Sequence, residues 1–181
     1  IIGDVIIGAG CYIGPCASLR GDFGRIVLQD GVNVQDSCTL HSFPGKIMLV
    51  ESDGHVGHGA ILHGCIVKRG VLIGMNAVVM DGAVVHDYAF VGACAFVKAR
   101  FEVPPRHLAV GNPAEVVREL SAKELLWKEK GTRLYQRLAQ RSLRSLKSVE
   151  ALSSVENDRK IISWDDEDLL APLYELNNRK Q

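Results

Sequence analysis

Three histidines, His41, His58 and His63, are of a type and spacing that could bind a metal ion. All three lie within a six-residue repeat that runs from Ile1 to about Lys98. Neutral imidazole is a common metal ligand, and three imidazoles that leave one position open for water are typical of a catalytic zinc site. Because the repeat determines where each histidine lies, their arrangement can be predicted from the sequence.

The repeat has a period of six and begins each unit with an aliphatic residue. Clear examples are IGAGCY from Ile7, IGPCAS from Ile13, IGMNAV from Ile73 and VGACAF from Val91. This period does not suit an amphipathic helix and is too regular for hairpins, whereas short repeats of fixed period are typical of a parallel β-helix. The sequence therefore predicts an all-β core over residues 1–100, in which each aliphatic side chain stacks on the equivalent one a coil away.

Counting repeat units places two of the histidines on one face. Leu40 and Leu62 are 22 positions apart, which equals three units with about four residues looped out. His41 and His63 follow these stacked leucines and should lie side by side, pointing outward. His58 occupies a different position of its unit and points outward near another edge. A symmetric oligomer could bring it to the other two, so we predict a homotrimer with the metal shared between subunits.

The composition argues against several classes of protein. The 21 basic and 21 acidic residues cancel, and no basic stripe is interleaved with aromatic residues, so we expect no nucleic-acid partner. The sequence has no run of about 18 consecutive apolar residues, so we expect no membrane-spanning helix. The N-terminus has no signal-peptide pattern. The five cysteines are odd in number and form no CxxC pair, which favours free thiols in a reducing compartment. We therefore expect a cytoplasmic protein.

The segments around the histidines resemble the γ-class carbonic anhydrases. The similarity is carried by NVQDSCTLH from Asn33 to His41, by VGHGAILHG from Val56 to Gly64, and by Arg20 and Asp22 within LRGD. The resemblance implies a left-handed parallel β-helix followed by a C-terminal α-helix. It also implies that the histidine trio binds zinc, although imidazole ligands suit Fe²⁺ and Co²⁺ as well.

The same resemblance implies roles for four polar residues. Gln35 matches the residue that hydrogen-bonds the metal-bound water, and Asn33 matches a polar partner beside it. Arg20 and Asp22 match a charged pair at the subunit interface, where a guanidinium–carboxylate contact would set the packing.

Two aromatic residues depart from the carbonic anhydrase pattern. Phe23 and Phe43 lie where that family carries carboxylates tied to proton transfer, and they predict an apolar mouth for the substrate. Longer segments, including GDFGRIVLQDG from Gly21 and the run from Phe96 to Leu120, are similar to hexapeptide proteins of phenylacetate degradation and of carnitine operons. This subgroup implies a thioesterase that acts on acyl-CoA.

The predicted function is therefore metal-dependent hydrolysis of a CoA thioester by a metal-bound hydroxide. Hydration of CO₂ by a γ-type carbonic anhydrase is the alternative. Two further hypotheses stay open: a hexapeptide acyltransferase that uses a histidine as general base without a metal, and an inactive assembly protein.

The composition changes after the repeat. Prolines and glycine indicate a turn segment over residues 101–120, and Ser121 with Glu124 forms the capping-box pattern that begins a helix over 121–146. Tyr135 on this helix is expected at the substrate mouth, with its hydroxyl close to the metal. The tail over 147–181 is expected to be partly extended or disordered.

Overall fold

The computed structural model describes residues 1–161 and 170–178. Two helices are present in these residues, Ala122–Ser145 (α1) and Leu173–Asn178 (α2). The strands are Ile2–Ile7 (β1), Tyr12–Ile13 (β2), Ser18–Leu28 (β3), Asn33–Val34 (β4), Thr39–His41 (β5), Ile47–Val50 (β6), His55–Val56 (β7), Ile61–His63 (β8), Ile66–Val67 (β9), Leu72–Ile73 (β10), Val78–Val79 (β11), Val84–Val85 (β12), Phe90–Val91 (β13), Phe96–Val97 (β14), Glu102–Val103 (β15), His107–Val110 (β16) and Glu115–Glu119 (β17).

The strands form a parallel β-helix of about six turns, as predicted. Its first face stacks β2, β4, β7, β10, β13 and β16, and its second face stacks β5, β8, β11 and β14. The third face stacks β1, β6, β9, β12 and β15. Strand β3 turns a corner, because its start pairs with β5 on the second face and its end pairs with β6 on the third.

The aliphatic residue that opens each repeat unit points into the core. On the second face the chain of paired positions runs from Leu19 through Leu40, Leu62 and Val79 to Val97. All five side chains are fully buried. Stacked apolar side chains in register bury a continuous core that no single coil could form, which explains why the repeat determines the fold.

The corners of the β-helix require unusual backbone geometry. Residues that are not glycine take left-handed φ values near +60° at several corners, among them Asn76, Tyr88, Arg100 and Arg106. Such φ values cost energy for most side chains, and asparagine and aspartate tolerate them best. Each of these corners is held by the residue's own N–H, which donates to a carbonyl of the preceding coil, as Arg106 does to Asp87.

The β-helix extends beyond the predicted boundary at residue 100. The segment 101–120, predicted as a turn, contains β15, β16 and β17, and the first two continue the parallel stacking on β12 and β13. Val103 and Ala109 are fully buried and continue the core. Pro104 and Pro105 lie between strands, where proline removes no ladder hydrogen bond, and so they do not end the repeat.

Helix α1 lies within one residue of the predicted 121–146 at each end. Its capping box is formed, since the Glu124 N–H donates to Ser121 Oγ and the Ser121 N–H donates to the Glu124 carboxylate. Arg118 pairs with the same carboxylate at 2.7 Å. The hydrogen bond and positive charge of the Arg118 guanidinium, together with the hydrogen bonds of Ser121, lower the pKa of the Glu124 carboxyl to about 2. The helix packs on the first face, against β2 and β4.

The C-terminal tail differs in part from the prediction of an extended or disordered segment. Residues 147–161 have no helix or strand, but α2 follows and returns to α1, where Trp127 Nε1 donates to the Ala171 carbonyl at 2.8 Å. The prediction for residues 162–169 and 179–181 lies outside the described residues. Neither helix is long and apolar enough to cross a membrane in the part of the chain that the structure describes.

Candidate functional site

His41 and His63 form a close pair on the second face. Strands β5 and β8 pair in register, so His41 lies directly opposite His63 while Leu40 and Leu62 stack beneath them. His41 Nδ1 is 3.1 Å from His63 Nε2. The side-by-side arrangement predicted from the repeat register is confirmed.

Both histidines of this pair are held by carboxylates on their other ring nitrogen. His63 Nδ1 donates to Asp81 at 2.7 Å, and His41 Nε2 lies 3.1 Å from Asp22. Arg20 is 3.3 Å from His41 Nε2 and 3.4 Å from Asp22. Since a carboxylate can only accept, Asp81 places the proton of His63 on Nδ1 and leaves His63 Nε2 as an acceptor that faces His41. His41 Nε2 faces both an acceptor, Asp22, and a donor, Arg20, and so is compatible with either tautomer of His41. We call these five residues the histidine-pair cluster.

Asp81 belongs to this cluster, although no role is predicted for it from the sequence. It lies 18 positions after His63, which is three repeat units, so the register would have placed it one coil away. The same register could therefore have identified it. Arg20 and Asp22 do form the predicted charged pair, and the structure places both against His41.

Phe23 and Phe43 flank the pair. The Phe23 ring centroid is 5.2 Å from that of His41, and the Phe43 centroid is 5.0 Å from that of His63. More than half of each phenylalanine side chain is exposed. Their position beside the histidines agrees with an apolar mouth, and their role toward a substrate stays a prediction.

His58 lies in a second cluster on the first face. It follows β7, and its Nδ1 is 2.6 Å from Asp36. The backbone N–H of His58 donates to Gln35 Oε1 at 3.2 Å. The Gln35 side-chain Nε2 donates to Asn33 Oδ1 and to His55 Nε2. We call these five residues the His58 cluster.

The predicted site residues are thus divided between two faces of one chain. Gln35 and Asn33 are buried and contact each other, not the histidine pair. Among the described residues, no group of three or more His, Cys, Asp or Glu side chains could hold a metal ion. A centre built from all three predicted ligands therefore requires a second copy of the chain.

Tyr135 lies beside the His58 cluster, and its predicted place at the substrate mouth stays a prediction. The structure places it in contact with the His58 cluster, with ring centroids 5.4 Å from His55 and 5.3 Å from Tyr12. Burial raises the pKa of its hydroxyl, and the nearby Tyr12 and Asp36 raise it further. Because α1 packs on the first face, Tyr135 cannot approach the histidine pair of its own chain.

An apolar cavity of about 470 Å³ lies between the first face and the two helices. Gln35 and His58 line this cavity, and its remaining wall is mostly aliphatic and aromatic. This volume lies in the range of small-molecule sites, which combine apolar walls with a few polar groups. Representative apolar lining residues are Leu72, Ile73, Phe90, Leu134, Tyr135 and Leu173.

Comparisons with known proteins identify relatives of the whole chain. Residues 64–99 match the family model described as bacterial transferase hexapeptide (six repeats). The carnitine operon protein CaiE of Salmonella agona (strain SL483) is 50% identical over 159 residues, which are 88% of this chain and 80% of the relative.

Two solved structures are also similar. One is a Bacillus cereus protein whose acetyltransferase assignment is provisional, with a TM-score of 0.76, 40% identity and coverage of 77% of this chain and 82% of that one. The other is a hexapeptide transferase family protein from Anaplasma phagocytophilum, with a TM-score of 0.74, 30% identity and the same coverage of both chains.

Proposed function

The chain belongs to the hexapeptide-repeat transferase family, with the carnitine operon protein CaiE among its relatives, and we propose that it is an enzyme that acts on acyl-CoA thioesters. The reacting site would lie between two copies of a homotrimer. One copy supplies the histidine-pair cluster and the next supplies the His58 cluster.

One observation carries this proposal: each of the three predicted ligands is held by an aspartate on one ring nitrogen. Asp22 holds His41 and Asp81 holds His63, while Asp36 holds His58. A carboxylate in this position fixes the tautomer and ring orientation of a working histidine. Three such pairs on a surface otherwise built from short repeats support a functional site more strongly than a structural one.

These residues fit a divalent metal. With His41 protonated at Nε2, the facing nitrogens of His41 and His63, which are 3.1 Å apart, would each present a lone pair, and the nitrogen of His58 that does not face Asp36 would supply the third. A metal held by three imidazoles lowers the pKa of a water toward 7 and so provides a nucleophile at neutral pH. Asp22 and Asp81 would orient the two imidazoles, while Phe23 and Phe43 would exclude bulk water from the mouth.

With water as acceptor, the reaction would be hydrolysis of the thioester to a free acid and CoA. The cavity beside His58 would hold the apolar part of the acyl group, since its wall is mostly aliphatic and aromatic. CO₂ hydration fits less well, because Asp22 and Asp81 are engaged by the histidines and Phe23 and Phe43 offer no route for a proton.

A second candidate is an acyltransferase, and the comparisons support it more directly than hydrolysis. The matching family model is named for transferases, and the Bacillus cereus relative carries an acetyltransferase assignment. In this reaction His63, oriented by Asp81, would take the proton of a hydroxyl or amine acceptor as that acceptor attacks the thioester carbonyl. The carbon–sulfur bond would then break, and CoA would leave as the thiol after its sulfur receives the proton from His63. No metal would be needed.

Release of free thiol from aryl and aliphatic CoA thioesters separates the two candidates. A hydrolase releases thiol without added acceptor, loses this activity on chelation and regains it with zinc. A transferase releases thiol only when a hydroxyl or amine acceptor is present, and chelation leaves the rate unchanged. Absence of thiol release under both conditions would contradict the whole proposal.

A further inference from the structure

A second cavity of about 580 Å³ lies on the opposite side of α1 from the apolar one. Four cationic side chains line it: Arg69 and Arg106 from corners of the β-helix, and Lys128 and Arg133 from the helix. Asp53 and Glu129 are the carboxylates that face it. With these six groups ionised, the cleft carries two positive charges in excess. We call this cavity the cationic cleft.

Some of these charges are already paired within the chain. Arg133 pairs with Glu129, and Arg69 lies 3.9 Å from Asp53. The Arg106 guanidinium, in contrast, has no ion pair or hydrogen bond within residues 1–161 and 170–178. Arg106 is therefore available to an anion that enters the cleft.

Two buried polar groups also face the cleft with unused hydrogen-bonding capacity. Lys128 is 4% exposed, and its ammonium donates to the Asp53 carbonyl. This single acceptor leaves further donors on the ammonium. Thr132 is 4% exposed, and its Oγ1 has no partner. A buried hydroxyl without a partner is costly and calls for an explanation, which a bound ligand would supply.

Tyr88 adds a flat aromatic surface at the same place. Its ring lies against Gly70, where a Cβ would come within 2.5 Å of the ring carbons, so glycine is required there. The Tyr88 side chain is 40% exposed, and it lines the cleft together with Gly70. An exposed aromatic face is suited to stacking with a planar base.

We propose that the cationic cleft binds a nucleotide, with its phosphates on Arg106, Lys128 and Thr132 and its base on Tyr88. Guanidinium and ammonium groups bind phosphate oxygens through charge-assisted hydrogen bonds. Two ligands share this chemistry, namely a free adenine nucleotide and the nucleotide end of CoA. The second source rests on the proposed function, whereas the first does not.

The test is calorimetric titration of the intact oligomer with adenosine bisphosphate, the nucleotide end of CoA, and with inorganic phosphate. We expect saturable binding of the nucleotide that weakens as salt is raised. Arg106→Gln and Thr132→Val should each weaken it by roughly tenfold, the loss expected for one hydrogen bond to a charged group.

Arg100→Gln is the matched control, because Arg100 occupies an equivalent left-handed corner but lies outside the cleft. It should bind the nucleotide as the unmodified protein does. Thr132→Val distinguishes a ligand role from a structural one, since loss of an unpartnered buried hydroxyl should not reduce stability. No saturable binding, or equal affinity in all three variants, would overturn the proposal.

Kinetics with acyl-CoA and the matching acyl-pantetheine identify the source of the nucleotide. If CoA supplies it, Arg106→Gln raises KM for acyl-CoA and leaves KM for acyl-pantetheine unchanged. If the ligand is a free nucleotide, Arg106→Gln weakens nucleotide binding by roughly tenfold and changes neither KM. Thiol release by unmodified protein that shows no saturable nucleotide binding would overturn this inference while leaving the proposed function intact.

Discussion

At the scale of single residues, the histidine pair is defined by which ring nitrogen carries the proton. Asp81 accepts from His63 Nδ1, and in the tautomer in which Asp22 accepts from His41 Nε2 the inner nitrogens of His41 and His63 present lone pairs to each other. Two lone pairs 3.1 Å apart repel unless a proton or a cation lies between them. The pair is therefore predisposed to hold a positive charge.

We expect His63→Ala to remove bound metal. Zinc-loaded protein should contain about one metal per chain in a symmetric trimer, because each of the three interfaces would hold one site. The variant should contain almost none, as measured by elemental analysis after gel filtration. His86→Ala is the control, since His86 is also paired with a carboxylate, Glu102, but lies outside both clusters. Equal metal content in both variants would contradict the ligand assignment.

His55 makes stability depend on pH. Burial, with the positive charges of Lys128 and His58, lowers the pKa of His55 to about 3 from an ordinary value of 6.5. The unfolded chain then binds more protons than the folded one in this range, so the free energy of unfolding falls as pH drops below 6.5. Part of the His55 side chain reaches solvent, so we expect a loss on the order of 1 kcal/mol by about pH 4.5.

Urea denaturation at several pH values measures this effect. His55→Gln should flatten the pH dependence between pH 6.5 and about pH 4.5, whereas His107→Gln should leave it unchanged. His107 is a suitable control because its ring bonds only to the carbonyl of a neighbouring turn residue, Pro105. If the free energy of unfolding depends equally on pH in the unmodified protein and in His55→Gln, His55 does not contribute to that dependence.

The repeat register predicted the pairing of His41 with His63, because a period of six leaves one arrangement of stacked leucines. It could not predict the contacts of Gln35. Gln35 forms a buried network with Asn33 and His55, and such a network depends on side-chain rotamers that the repeat does not specify. The repeat likewise does not specify the position of Tyr135, which depends on the face on which α1 packs.

At the scale of elements, Arg20 and Asp22 lie on the 11-residue strand β3, whereas the other strands beneath the two clusters have only two or three residues and gain stability by stacking in register. Such short strands position His41 and His63 rigidly, because each backbone is bonded to the coils on both sides. Helix α1 is different. It depends on its cap and on one packed side, and it separates the apolar cavity from the cationic cleft.

We expect Ser121→Ala to destabilise α1. The substitution removes the hydroxyl that accepts from the Glu124 N–H, and loss of such a cap costs about 1 kcal/mol. Urea denaturation followed by circular dichroism measures the change. Ser148→Ala, in the exposed segment after the helix, should have no effect. Equal stability of both variants would show that the capping box does not hold the start of α1.

Two features of the fold, the continued β-helix and helix α2, could not be predicted from the local sequence. Val103 and Ala109 continue the stacked core on either side of Pro104 and Pro105, although prolines and glycine predicted a turn segment there. Proline disrupts a strand only where its missing N–H is needed, and Pro104 and Pro105 lie between strands. Helix α2 is held by tertiary contacts such as that of Trp127 with Ala171, which local sequence does not reveal.

At the scale of the whole molecule, the residues of the proposed site are divided between two clusters on different faces of one β-helix. The histidine-pair cluster has two candidate ligands and an apolar surround, and the His58 cluster has the third ligand and the apolar cavity. Phe23, Phe43, Ile47 and Ile61 also expose apolar surface on or beside the first of these clusters. Such surface is typical of an interface.

The most direct test of a site shared between copies is to mix two inactive variants. His58→Ala lacks one half of the site and His63→Ala lacks the other, so each alone should release no thiol from acyl-CoA. After the two are unfolded and refolded together, about a quarter of the interfaces should combine an intact His58 with an intact His63. The account predicts recovery of about a quarter of the unmodified activity. Mixed oligomers that form but stay inactive would contradict it.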